Sequence, residues 1–83
     1  MDKRTLKRKL GDLTNCGIQH NGWTCGTCFG AAMRDLKVQR DKRHLYWQSL
    51  LVYRGDYKPD TMDYPELTLK QGIKELKGVL NGL

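Results

Sequence analysis

Apolar residues recur at helical spacing three times along these 83 residues, and that periodicity limits the fold more than any other feature. Leu6, Leu10 and Leu13 fall at i, i+4 and i+7. Phe29, Met33 and Leu36 repeat the pattern, and Leu69, Ile73, Leu76 and Leu80 carry it through a longer stretch. Each stripe is one face of an amphipathic helix, and such a face must be buried against another element. His44 to Arg54 is ambiguous. Leu45, Trp47, Leu51 and Tyr53 share strand parity, whereas Trp47, Leu50, Leu51 and Arg54 follow helical spacing. The length of the run and Asp41 as an upstream N-cap predict a largely buried helix.

Local signals place the boundaries. Asp2 caps a first helix over residues 3 to 13, with Gly11 weakening its last turn. Thr24 or Thr27 caps a second helix to about residue 38, in which Gly30, Ala31 and Ala32 leave room for a close neighbour. Gly55 to Pro65 holds both prolines and reads as the one long loop; Tyr57, Met62 and Tyr64 make it a candidate partner surface. Thr68 and Gln71 form a capping-box pattern for a last helix over residues 68 to 81, ended by Gly82. The expected fold is all-α. It is one domain, residues 1–83, built as a four-helix bundle with an irregular Cys/His-containing loop between helices 1 and 2. Its expected core is Leu6, Leu10, Phe29, Met33, Trp47, Leu51, Ile73, Leu76 and Leu80.

A chain this short buries only about 60 to 65% of its unfolded surface, so a staple would help it. The segment Cys16 to Cys28 holds all three cysteines and His20. Cys16-x3-His20-x4-Cys25-x2-Cys28 offers three thiolates and one imidazole, a donor set of structural zinc sites, with His44 as an alternative fourth ligand. Zinc is therefore the candidate cofactor. The spacing is as short as that of zinc knuckles, whose C-x2-C-x4-H-x4-C runs in the opposite order.

Two further readings rest on the same residues. Trp23-Thr24-Cys25-Gly26-Thr27-Cys28 resembles the W-C-G-x-C site of thioredoxin-like oxidoreductases, with one residue inserted between Trp and Cys. That resemblance implies dithiol chemistry at Cys25 and Cys28, and a helix N-terminus lowers a thiol's pKa as that chemistry requires. Gln19 to Gly26 is similar to the Q-x-N-G-x-D-C-G segment of ubiquitin-like-protein proteases, and Cys25 to Phe29 to the C-G-S-C-W of papain-type enzymes. The first implies a nucleophile at Cys25 and the second a nucleophile at Cys28. Thr24 stands where the first family has Asp, and Gly22 where the second has its oxyanion-hole Gln. Neither family's general-base histidine has a counterpart at its spacing. A plainer alternative is that the cysteines are small buried residues, His20 is a loop residue, and Trp23 and Trp47 are anchors.

Charge points to partners. The formal net charge is +6: residues 1 to 54 hold eleven Lys and Arg against four Asp, and residues 55 to 83 hold four Lys against five acids. The excess lies in two runs. Lys3, Arg4, Lys7 and Arg8 carry the first, and Arg34, Lys37, Arg40 and Arg43 the second. Both suit nucleic acid or an acidic protein surface. Neither run has an interleaved aromatic, which argues against reading single strands by base stacking. No apolar run reaches signal-peptide or membrane-spanning length, and an odd cysteine count fits a reducing setting, so the expectation is a cytoplasmic protein off the membrane. The composite expectation is a basic binding or adaptor module, zinc-stapled, rather than an enzyme. A thiol-dependent enzyme using Cys25 and Cys28 is the alternative.

Overall fold

The structure, a computed structural model, describes residues 2–14 and 25–82. Four helices follow in order: α1 Lys3–Thr14, α2 Gly26–Asp35, α3 Arg40–Arg54 and α4 Glu66–Asn81, with a 3-10 turn at Pro59–Thr61. No strand occurs among the described residues. The all-α expectation holds, and the ambiguous run 44 to 54 is helix. The loop expected to carry Cys16 and His20 lies outside the described residues.

Each helix end has a local cause. The Thr5 N–H donates to Asp2 Oδ1 at 2.8 Å, so Asp2 caps α1 as its residue type favours. The N-cap of α2 is Cys25, between the two expected threonines. The N-cap of α3 is Gln39, which puts Asp41 inside the first turn, where its charge still favours the positive helix end. α4 starts after Pro65, two residues before the expected cap, so Thr68 lies within the helix and the capping box is not used. Proline has no N–H to satisfy and is well placed at such a boundary. Gly55 ends α3 at φ 91°, a left-handed turn that glycine takes without strain.

α3 and α4 form the main pair, α2 packs on α3, and α1 lies across α2 and α4. Leu6, Leu10, Phe29, Met33, Leu50, Leu76 and Leu80 are fully buried between them. Trp47 and Ile73, expected in the core, are only partly buried against it. The reason is the breadth of α3's buried face. Leu45, Tyr46, Gln48, Ser49, Leu50 and Leu51 are all buried there, which leaves Trp47 at the edge toward α2.

Candidate functional site

The second basic run folds onto the corner between α2 and α3. α2 ends at Asp35, and Lys37 then takes φ 62°, a left-handed conformation costly for a residue with a Cβ. Three backbone bonds fix the turn: Leu36 N to Ala32 O at 3.1 Å, Lys37 N to Arg34 O at 2.9 Å and Val38 N to Met33 O at 3.0 Å. Arg43 ties the next element in, its Nε donating to Val38 O at 2.8 Å. Arg34, Lys37 and Arg40 are exposed on this corner and Arg43 is half-buried. None of the four makes an ion pair among the described residues. Lys42, Arg54 and Lys70 do, with Glu75, Asp56 and Glu66.

The first run lies elsewhere. Lys3, Arg4, Lys7 and Arg8 are exposed along α1, and Lys3 Nζ sits 5.2 Å from the centre of the Tyr53 ring. Tyr53 is in the last turns of α3, whereas Arg40 opens that helix. Thirteen residues separate them, about 20 Å at 1.5 Å per residue. The Debye length is about 8 Å at physiological ionic strength, so Lys3 and Arg40 are largely screened from each other. Lys77 Nζ lies 4.2 Å from the same ring, so two cations are drawn to one aromatic ring.

Of the four proposed zinc ligands, Cys25 and Cys28 lie half-buried at the start of α2, and Cys16 and His20 lie outside the described residues. Among the described residues no three His, Cys, Asp or Glu side chains are grouped to hold an ion. His44 is engaged otherwise. Its Nε2 lies 2.9 Å from Asp63 Oδ2, and Gln48 Nε2 donates to that same oxygen at 3.0 Å. Gln48 Oε1 also accepts the Asp63 N–H at 2.9 Å, which pins the 55–65 loop to α3. The His44 and Gln48 bonds hold Asp63 below the usual aspartate value of 3.8. The backbone N–H of Cys28, first of several first-turn donors, lowers the Cys25 thiol from its usual 9.0. A thioredoxin-like sheet is absent among the described residues, so that resemblance is confined to the motif.

A groove opens beside the basic corner. Gly26 and Gly30 of α2 form one wall, and Arg40, Arg43, His44 and Trp47 of α3 form the other. No aromatic is interleaved in the second run, but Trp47 of α3 lines the groove with Arg40 and Arg43. Arg40, His44 and Trp47 fall at i, i+4 and i+7, one face of α3, a spacing that the sequence displays. The chain matches no family model, no curated protein and no solved structure, so its own geometry carries the functional reading. None of its described helices is long and apolar enough to cross a membrane.

Proposed function

We propose that this chain is a small basic binding module that docks on a polyanion through the α2–α3 corner, with nucleic acid ahead of an acidic protein surface. One observation carries the reading: Arg34, Lys37, Arg40 and Arg43 meet on one rigid turn and make no ion pair among the described residues. Asp35 and Asp41 are the only acids within that run, against five cations. Phosphate contact needs cations projecting from fixed elements, because such contacts position the partner rather than read its sequence. Lys3, Arg4, Lys7 and Arg8 form an auxiliary patch along α1. Zinc belongs to this reading as a staple on Cys16, His20, Cys25 and Cys28, where its binding energy would add to folding energy.

The test is a fluorescence-anisotropy titration of a labelled oligonucleotide at rising salt. Four corner cations predict a log–log slope near −3, at about −0.7 to −0.9 per phosphate. No binding at tens of micromolar protein in about 50 mM salt overturns the nucleic-acid reading, because non-specific binders reach that range.

A second reading is favoured by the lowered Cys25 thiol at the start of α2. In it the Cys25 thiolate attacks a substrate disulfide and expels one thiol. Cys28 then attacks the mixed disulfide and expels the other, so two electrons pass to the substrate. Cys25 and Cys28 end as a disulfide, so the pre-reduced protein should reduce a small disulfide one for one, an activity lost in both Cys25→Ser and Cys28→Ser; no reduction would remove this reading.

A further inference from the structure

We infer that two copies of this chain pair through antiparallel α4 helices, with Leu67 of each protomer seated in the cavity between α3 and α4 of the other. This goes beyond the polyanion reading and stands without it.

The contact has a knob and a hole. Leu67 is 79% exposed, the most exposed large apolar side chain among the described residues. A single leucine on a surface is ordinary, but this one stands beside an apolar opening. Next to the 3-10 turn, the seam between α3 and α4 widens into a cavity of about 210 Å³. Val52 and Tyr53 of α3, Pro59 of the turn, and Leu69 and Ile73 of α4 form its walls. Glu66 and Lys70 also line it, and both are largely exposed. An apolar cavity of about 150 Å³ holds a benzene ring, so this one has room for the isobutyl group of a leucine. Leu67 and Lys70 are three residues apart and are therefore neighbours on the surface of α4. Knob and hole thus belong to one patch, which a contact between identical surfaces requires.

The charges have the same symmetry. A two-fold axis at Thr68 sets Leu67 of one protomer opposite Leu69 of the other, a wall of the cavity. The same axis sets Glu66 opposite Lys70 twice. Within one chain Lys70 Nζ lies 3.6 Å from Glu66 Oε1. An exposed pair of this kind contributes little and exchanges its partner readily. The long-range field favours this face as well. Residues 55 to 83 hold four Lys against five acids, so the half of the chain that carries α4 is where two chains of net charge +6 repel least. A small apolar ligand would fill the hole and leave Leu67 in water. A second copy uses both.

The experiment is sedimentation equilibrium of the full chain up to about 1 mM, the weak limit of specific association, with reductant present so that no disulfide links two copies. The expected result is a monomer–dimer equilibrium. Leu67→Asp changes an exposed position, should keep the helical circular dichroism, and should weaken association by roughly tenfold or more. Glu66→Lys sets like charges opposite each other twice and should also weaken the dimer. Adding Lys70→Glu restores opposite charges across the axis, returns the net charge to that of the parent chain and should recover the dimer. A monomer throughout the concentration range overturns the inference. Unchanged affinity in Leu67→Asp overturns the knob and hole as the contact. A dimer that Glu66→Lys weakens and the double variant does not recover overturns the antiparallel pairing.

Discussion

Replacing Gly72 with alanine tests how α3 and α4 are held together. Gly72 is buried on α4 where that helix meets α3. A methyl group there would fall well inside 3.0 Å of Ser49 Oγ, and 3.2 and 3.3 Å from Leu45 Cγ and Cδ1. The Ser49 hydroxyl is 2% exposed and donates to Leu45 O at 2.7 Å. Turning it away would leave a buried hydroxyl unpaired, at about 1–3 kcal/mol. Moving the helices apart would instead overpack the neighbours, at about 1–3 kcal/mol. Alanine returns about 0.8–1.0 kcal/mol of helix propensity. The net expectation is a loss of about 1 kcal/mol, or about 4–8 °C in Tm for a domain of this size. Urea unfolding followed by circular dichroism at 222 nm measures it. Gly78→Ala on the same helix is the control, since a Cβ there meets nothing within 4 Å. It should stabilise by up to about 1 kcal/mol. Adding Ser49→Ala to Gly72→Ala removes the clashing oxygen and should recover most of the loss. If Gly72→Ala is as stabilising as Gly78→Ala, the close helix contact is not what limits this position.

Two further predictions concern titrating groups. Asp2 and Asp63 are both held below the usual aspartate value of 3.8, Asp2 by the Thr5 N–H and Asp63 by His44 and Gln48. The native state therefore holds fewer protons than the unfolded chain in that range. Their contribution to stability is complete above the unfolded value and is lost as pH falls through the folded values. The urea midpoint should stay level above about pH 5 and drop below it, less steeply in Asp63→Asn; a midpoint equally acid-sensitive in that variant would contradict the His44–Asp63 account. Cys25 should react with iodoacetamide faster than Cys28 at about pH 7 to 8, because thiolate is the reactive form. Added zinc should protect both if they are ligands. Alkylation at the rate of an unfolded thiol would show that the start of α2 does not activate Cys25.

The helices were legible because their stripes are regular: Leu6 and Leu10 on α1, Phe29 and Met33 on α2, Leu76 and Leu80 on α4 all reach the core. α3 was harder to read. Its buried face is wide enough to take in Gln48 and Ser49, which no apolar pattern marks, and their burial depends on partners supplied by Asp63 and Leu45. Cap positions shifted because backbone geometry outweighed side-chain preference, as when Pro65 started α4 ahead of Thr68. The eight basic candidates were readable, but the approach of Lys3 to Tyr53 at the far end of α3 was not. That depends on α1 crossing to meet Tyr53. The Trp47 groove was half visible, since Arg40, His44 and Trp47 stand at i, i+4 and i+7 in the sequence. Its other wall needed α2 to be placed.

The most direct test of the central claim compares two charge reversals in one anisotropy titration with a labelled single strand. Arg34→Glu with Arg40→Glu alters the α2–α3 corner, where both side chains are exposed and outside any described ion pair. Arg4→Glu with Lys7→Glu makes the same change in charge at exposed positions of α1. The account predicts that the corner variant loses at least about tenfold in affinity and flattens the salt slope by about two phosphates, while the α1 variant keeps most of its binding. Equal losses in the two variants would mean that binding follows net charge, and the corner would not be the site.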